Sequence, residues 1–446
     1  MGIGGVGMCG LAEVLHSQGH TVSGCDLADS ERTRHLEGLG IAVGRGHDPS
    51  HLIGVDALVM SSAVAPAEAE LAAARQRGMV VARRAEMLAE LMRMERGVAV
   101  AGTHGKTTTT ALVGHLLTAA GKDPTIIVGG RSHALGSHAR IGSGALLVCE
   151  ADEFDRSFLE LAPQISVITN LEPEHLDCYG DQAALEAAFA AFANRTSVFG
   201  SVILCADDPG AVELRGHLRR RVVTYGMSAD ADLRLQIVAS DAGGTHVSVA
   251  RGRDRLGSAY VALPGAHNAL NAGAAIAVGL ELGIDFKTLA AACSTFTGVA
   301  RRFEVRGERQ GVTVVDDYAH HPTEIAAVLD AARQAMPGRR IVAVFQPHLF
   351  SRTRELASEF AAALLGAEVA LVLPIYPARE RPIDGVTAKL VVDEAERLGH
   401  PRVLAGPGTD EDFSELDELL QPGDVLLTLG AGDVDRVGSR WLEVAS

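Results

Sequence analysis

This 446-residue sequence predicts an α/β protein of three domains: a Rossmann-like N-terminal domain over residues 1–96, a central domain of the phosphate-loop type over residues 97–298, and a second Rossmann-like domain over residues 299–446. Three observations carry that prediction. The glycine loop Gly2-Ile3-Gly4-Gly5-Val6-Gly7 opens a helical run. The stretch Gly102-Thr103-His104-Gly105-Lys106-Thr107-Thr108 stands between an apolar run and a second helical run. Strand and helix patterns then alternate through the last third of the chain, at the spacing of a parallel sheet.

In the first domain a helical run from Met8 to Ser17 follows the glycines, and a strand-like Thr21 to Cys25 ends in Asp26. An acidic residue at that distance after GxGxxG is the Rossmann layout. The motif fits a nicotinamide dinucleotide, the diphosphate of another nucleotide, or only a tight turn that lets helix and strand pack. Ala57 to Ser61 reads as a strand, Ala67 to Arg77 as a helix and Val80-Val81 as a further strand. In a Rossmann unit the glycine loop leaves an apolar strand in the middle of the sheet, yet only Met1 precedes Gly2. The expectation is a reading frame that starts upstream and supplies that first strand.

In the central domain Val98 to Ala101 reads as a buried strand, and Ala111, Leu112, His115, Leu116 and Ala119 recur near helical spacing. Glycines at a strand-to-helix turn aim backbone N–H groups and the positive helix end at an anion. Lys106 would reach the terminal phosphates of a nucleotide, with the Thr107 hydroxyl on the accompanying magnesium. The strict Walker pattern fails, since Val100 stands where it asks for glycine. The coincidence of strand, Gly-Lys-Thr and helix still reads as a P-loop-type ATP-binding segment.

Leu146 to Cys149 is the next strand, and it delivers Glu150-Ala151-Asp152-Glu153 where magnesium needs hard oxygen ligands. Ile165 to Thr169 is another, followed by Asn170-Leu171-Glu172-Pro173-Glu174-His175-Leu176-Asp177. A lone histidine is more often structural than a ligand, so spacing alone leaves His175 unassigned. Further strands, the later ones antiparallel, are expected from Val202 to about Val261. Asn268 and Asn271 open the alanine-rich helix Ala272 to Leu282, able to read a base edge or to cap it.

The last domain starts at Arg301-Arg302-Phe303-Glu304 and has strands at Val312 to Val315, Ile341 to Phe345, Ala367 to Leu373 and Val425 to Leu429. Helices are expected at Thr323 to Ala335, Thr353 to Leu365 and Ala388 to Leu398. Polar clusters follow the strands: Asp316-Asp317-Tyr318-Ala319-His320-His321, Gln346-Pro347-His348 with Arg352, and Gly430-Ala431-Gly432-Asp433. Ligand crevices of open α/β sheets lie outside the carboxyl ends of strands, so these are read as site residues.

Composition narrows the function classes. Hydrophobic residues make up 47% and charged residues 22%, a globular balance, while a net charge of −16 argues against a nucleic-acid or other polyanion surface. Phosphate sites must then be local. The six cysteines form no CxxC pair and no close cluster, so neither a zinc site nor a disulfide framework is expected. With no apolar run of membrane-spanning length and no basic-then-apolar start, a cytoplasmic protein without membrane insertion is expected.

The motifs GIGGVGM at Gly2 to Met8, RAEML at Arg84 to Leu88, GTHGKTTT, EADE at Glu150 to Glu153, TNLEPEHLD at Thr169 to Asp177, HNALNA at His267 to Ala272, RRFE, DDYAHHPTE at Asp316 to Glu324, FQPH at Phe345 to His348 and GAGD follow one another over nearly the full length. In this order they resemble the Mur ligase family, ATP-dependent enzymes that add amino acids to the peptidoglycan precursor. The resemblance implies ATP and Mg2+ as cofactors, and UDP-N-acetylmuramate and L-alanine as substrates. It implies an amide-forming ligation in which the lactyl carboxylate attacks the γ-phosphate and the alanine amine displaces phosphate from the acyl phosphate. By the same resemblance Gly4, Gly5, Val6 and Gly7, with Ser61, would hold the UDP-sugar. Gly102, Thr103, His104, Gly105, Lys106, Thr107 and Thr108 would hold ATP phosphates, with Thr107, Glu150 and His175 on the metal. Asn268 and Asn271 would face adenine, Arg302 the γ-phosphate and Asp317 the nucleotide. Tyr318, His348 and Arg352 would form the amino-acid pocket. The last domain would close on the central one to complete the ATP site.

Three positions depart from the family pattern: Leu349 where some relatives have arginine, Ser137-His138 where Thr-Asn is expected near the sugar, and Phe154 in place of serine. Rival readings are a ligase that attaches a whole peptide to the same UDP-sugar, a non-catalytic UDP-sugar sensor, and an NAD-dependent oxidoreductase resting on GxGxxG and Asp26 alone.

Overall fold

The computed structural model describes residues 1–129, 139–378, 380–410 and 414–443. They form two compact units, one of Met1–Gln236, Val247–Tyr260 and Leu270–Val299, the other of Ile237–His246, Val261–Ala269 and Ala300–Ser446.

The first unit is built on a mixed sheet whose middle strand is Arg96–Ala101, flanked by Leu146–Glu150 and Ile165–Ile168, both parallel to it. Ser201–Cys205 and Val222–Gly226 extend one side, Thr125–Ile127 and Ala139–Arg140 the other. Beyond Val222–Gly226 the sheet continues through Leu233–Asp241, Gly244–Arg251 and Asp254–Val261. Two-residue connections join these last strands, and connections so short admit only antiparallel neighbours. The middle strands are near-continuous apolar runs because helices cover both of their faces. Phe158, Phe189 and Phe192 fill one face, together with Leu11, Val14, Leu88 and Leu91 from the N-terminal segment.

The N-terminal segment departs from a single sheet. Ser23–Asp26 pairs with Ala42–Arg45, and Ala57–Met60 with Val80–Arg83, as two separate parallel pairs. Met1 to Ile3 lie between the pairs. The amides of Gly2 and Ile3 donate to Cys25 O at 2.9 and 3.1 Å, while the Met1 amino group donates to Val59 O at 2.7 Å and Ser61 N to Met1 O at 3.1 Å. The helix Val6–Ser17 follows immediately.

In the second unit six strands run in the order Glu304–Arg309, Val312–Asp317, Val425–Leu429, Ile341–Phe345, Val369–Val372, Val403–Ala405, antiparallel at the first pair and parallel after it. The two-residue alternation of side chains splits each strand between faces. Val315, Ala343, Phe345 and Leu427 pack on one face with Ile325, Phe360 and Val391. Val314, Val342, Val344 and Leu426 pack on the other with Leu416, Val437 and Trp441. The single helix expected over Thr353 to Leu365 is two, Phe350–Glu355 and Ala357–Leu364. Leu356, at φ −115° and ψ 19°, breaks the helical geometry, and the second helix then turns Phe360, Ala361 and Leu364 into the core.

Candidate active site

Parallel strands put their carboxyl ends on one edge of the sheet, and the polar motifs of the first unit converge there. The loop after Arg96–Ala101 leads into the helix Lys106–Ala119 through Gly102 at φ +136° and Gly105 at φ +78°. Both glycines are also tightly approached: a Cβ at Gly102 would stand 2.0 Å from Thr169 Oγ1, and one at Gly105 2.6 Å from Asn271 Oδ1. The loop is clasped by the segment after Ile165–Ile168. Thr169 Oγ1 donates to His104 O at 2.6 Å, His104 N donates to Asn170 Oδ1 at 2.7 Å, and Glu172 N donates to Thr103 Oγ1 at 2.9 Å. Thr109 Oγ1 donates to the buried Asn271 Oδ1 at 3.1 Å, so Asn271, expected to face adenine, packs against the first turn of the helix that the loop leads into.

Lys106 Nζ donates to Gly102 O at 2.5 Å, Thr103 O at 3.1 Å and Glu153 Oε1 at 2.8 Å. Burial pulls its ammonium down, but the carboxylates of Glu153 and Asp152 outweigh burial and the net direction is up. Glu153 is pushed up to about 7, by burial first, against the pull of Lys106. Glu150 accepts from Gly129 N at 2.7 Å and also bonds the Thr107 hydroxyl; burial raises its carboxyl above the usual range. His175, at φ +56°, lies 3.9 Å from Glu174 and edge-on to Phe154 at 5.1 Å. The donor atoms of His175, Glu174 and Glu153 all lie within 4.8 Å of one another.

The glycine loop of the N-terminal segment is braced by Asp26, whose Oδ2 accepts from Gly4 N at 2.8 Å. Arg32 Nε donates to Gly4 O at 2.5 Å, and a Cβ at Gly7 would stand 3.0 Å from the Arg84 guanidinium. Ser61 Oγ accepts from Ala63 N at 3.3 Å beside this loop. The carboxylate that completed the Rossmann layout thus supports the loop backbone.

In the second unit Asp317 accepts from Phe303 N and from Ala319 N, each at 2.7 Å, tying the Arg301-Arg302 turn to the following loop. Burial pushes Asp317 up to about 7 against the pull of Arg302. Arg301 is spent on Asp316 at 3.0 Å and on Gly430 O and Gly432 O. The Arg302 guanidinium lies over the Tyr318 ring at 5.2 Å and 3.9 Å from Glu324. Tyr318, His320, His348 and Tyr376 form a row of rings at 5.5, 5.9 and 5.8 Å, the last pair stacked. Leu349, at φ +71°, carries the chain from this row into the short helix holding Arg352, and Ser351 at its start is fixed by Glu380. Asn268 Nδ2 donates to Pro264 O at 2.9 Å.

The sequence is 48% identical over 445 residues to UDP-N-acetylmuramate--L-alanine ligase of Salinibacter ruber, covering 100% of this chain and 94% of the relative. The chain belongs to the Mur ligase family. Its stretches match the models described as Mur ligase family, catalytic domain (1–96), Mur ligase middle domain (100–279) and Mur ligase, glutamate ligase domain (301–432). The relative of the same name in Sorangium cellulosum is 49% identical over 98% of this chain and 93% of its own. Among solved structures, UDP-N-acetylmuramate-alanine ligase MurC of Thermotoga maritima is 30% identical with a TM-score of 0.82, covering 99% of this chain and 97% of that one.

Mur ligases use ATP, and the loop fits a nucleotide phosphate: its glycines leave room for no side chain and its lysine is already aimed along it. The donor set also fits a hard divalent cation, since Glu150 is a buried carboxylate beside the Thr107 hydroxyl and His175 sits with two further carboxylates. Glu174, Arg84 and Tyr376 were not singled out from spacing, although the first two stand inside motifs of the Mur ligase pattern, while Glu153 and His320 stood in polar stretches read as site residues without a role of their own. The Ser137-His138 departure lies outside the described residues.

His267, at the start of the helix Ala266–Glu281, is pulled down to about 4, by burial first and then by Arg302. The unfolded histidine binds its proton near 6.5, so between about 6.5 and 4 the unfolded chain holds more protons and stability falls as pH drops. The loss should be about 1–3 kcal/mol, the lower part of the range reflecting the partial exposure of the residue. His267→Gln is expected to flatten this acid limb in melting curves taken from pH 7 to 4. An unchanged limb would mean that His267 is charged in the folded protein.

Proposed function

We propose that this chain joins L-alanine to the lactyl carboxylate of UDP-N-acetylmuramate at the expense of ATP, giving UDP-N-acetylmuramoyl-L-alanine, ADP and phosphate. The observation that carries the reading is the part-buried Lys106, held at the mouth of the phosphate loop by Gly102 O, Thr103 O and Glu153. A binding module or sensor has no use for a desolvated ammonium kept charged by buried carboxylates, whereas phosphoryl transfer needs that charge. Relatives bearing this activity in their names at 44–49% identity over nearly the whole chain support the choice of substrates.

In this reading the lactyl carboxylate attacks the γ-phosphate to give an acyl phosphate and ADP, and the alanine amine then displaces phosphate. Lys106 and Arg302 balance the charge that builds on the transferred group. The loop of Gly4, Gly5, Val6 and Gly7 receives the UDP diphosphate at the helix start, on the amides of Val6 and Gly7 since Gly4 N and Gly5 N already donate to Asp26 and Gly2 O, with Arg84 beside Gly7 as a counter-charge. Magnesium, when bound, would neutralise phosphate oxygens; Thr107, Glu150 and His175 are the residues to hold it, with Glu153 and Glu174 adjacent. Asp317 acts on the nucleotide by fixing the loops around Arg302. Tyr318, His348 and Arg352 bind alanine, with His320 and Tyr376 completing the row of rings. No described helix is long and apolar enough to cross a membrane, and a cytoplasmic setting belongs to the proposal.

Phosphate release should need ATP, UDP-N-acetylmuramate and alanine together, and product mass should show one added alanine. A product carrying a peptide would favour the peptide-attaching ligase, and background release with all three present would revive the sensor. Arg352→Ala should raise the KM for alanine far more than that for ATP, by about 2 kcal/mol or roughly 30-fold for a lost charged hydrogen bond. Equal effects on both would take Arg352 out of the amino-acid pocket.

A further inference from the structure

A second constellation lies in the N-terminal segment, away from the phosphate loop and its carboxylates. Cys25, at 1% exposure, lies in one strand of the first parallel pair; His47 follows the other strand; His51 lies in the 3-10 turn Pro49–Leu52; and Glu70, at 2% exposure, opens the helix Ala69–Gln76. Cys25 Sγ stands 3.3 Å from His47 Nδ1 and 3.3 Å from Glu70 Oε2. Glu70 stands 3.8 Å from His47 Nδ1 and 3.6 Å from His51 Nδ1.

Two features separate this cluster from an ordinary hydrogen-bonded core. Among the described residues no lysine or arginine is paired with Glu70: its close partners are two imidazoles and a thiol, and the Met1 ammonium adds the one full positive charge through space. A buried carboxylate balanced only at a distance is costly. In addition, His51 Nδ1 is buried, has no hydrogen-bond partner and faces Glu70. Gly44 leaves the space for that ring, since a Cβ there would stand 2.6 Å from His51 Nε2.

We propose that Cys25, His47, His51 and Glu70 form a structural site for a zinc-class divalent cation. Four protein donors of sulfur, nitrogen and oxygen type suit Zn2+ in a closed tetrahedral site, where bonds of about 2.0–2.3 Å set donor separations of about 3.3–3.6 Å. The contacts of 3.3, 3.3 and 3.6 Å meet that spacing, and the 3.8 Å between His47 and Glu70 is slightly wider. The donor atoms of Cys25, His51 and Glu70 lie within 4.8 Å of one another, and His47 joins them through Cys25 and Glu70, so the two imidazoles must approach each other to close the tetrahedron. Thiolate and carboxylate together would cancel the charge of the cation, leaving a neutral buried site. Cysteine spacing alone had set zinc aside, because three of the four donors are not cysteines. Cys25 O accepts the amides of Gly2 and Ile3, so the cation would anchor the strand that the glycine loop leans on.

The test uses the full chain, stripped of metal by a chelator and titrated with Co2+ and then Zn2+. One Co2+ per chain with a thiolate-to-cobalt charge-transfer band is expected, displaced by Zn2+, with a melting temperature that rises as Zn2+ is added. The band should vanish in Cys25→Ser. His51→Gln, altering the most exposed of the four side chains, should weaken the metal by more than the roughly 10–100-fold that outer-shell changes cost. Should Cys25→Ser fail to fold, the His51→Gln titration decides. No thiolate band in the parent chain, a band that survives Cys25→Ser, or an unchanged affinity in His51→Gln would each overturn the site.

Discussion

Lys106→Ala is expected to lower turnover by about 1,000-fold or more while UDP-N-acetylmuramate still binds with nearly its parent affinity. The ammonium is seated among the carbonyls of the phosphate loop, so its removal takes positive charge from the place where phosphoryl transfer needs it. The fold should tolerate the change. Glu153 would lose its partner at 2.8 Å, but its carboxyl already lies near 7 through burial and can take a proton at modest cost. The UDP-sugar is assigned to the Gly4 to Gly7 loop, which Asp26 and Arg32 brace independently of Lys106. Calorimetric binding alongside steady-state rates makes the comparison, and a loss of UDP-sugar affinity as large as the loss of rate would sink the assignment of the two loops.

Gly102→Ala is expected to destabilise the first unit strongly. Its Cβ would fall 2.0 Å from Thr169 Oγ1, 3.0 Å from Thr169 N and 3.1 Å from Asn170 N, at a φ of +136° that alanine rarely adopts. Strain at such a backbone costs about 1–3 kcal/mol, and overpacking a filled site costs about 1–3 kcal/mol more. A fall in melting temperature of roughly 5–15 °C follows for a unit of this size. Turnover should fall as well, because Gly102 O is one of the groups that hold Lys106. Adding Thr169→Ala should recover part of the stability by removing the hydroxyl, and none of what the backbone angle costs. A Gly102→Ala protein that melts with the parent would show that the loop is looser than these distances require.

Much of the fold could be read locally. Val98 to Ala101, Leu146 to Cys149 and Ile165 to Thr169 are short apolar runs bounded by glycine or charge, and each is a strand. Glu304–Arg309 escaped because its two-sided exposure leaves no apolar run, as befits an edge strand. The break at Leu356 escaped because an unbroken helical pattern crosses it. At the site, Lys106 and Thr107 were legible because a phosphate loop is a local device. The partnership of Lys106 with Glu153 was not, nor was the use of Asp317 to bind Phe303 N and Ala319 N. Tyr376 joins the ring row from a stretch with no motif of its own.

By itself the sequence determined the fold class, the order of strands and helices along most of the chain, the phosphate loop and the family, because backbone propensity, apolar period and motif spacing are carried by neighbouring residues. Only the tertiary structure decided which side chains meet. Strand order brings the ends of Arg96–Ala101, Leu146–Glu150 and Ile165–Ile168 together, and so places Glu153 on Lys106 and beside Glu174 and His175. The same holds for Cys25, His47, His51 and Glu70, which come from a strand, a loop, a 3-10 turn and a helix. Long-range convergence depends on how a sheet is ordered and how helices cross over it, and no short-range spacing carries that information.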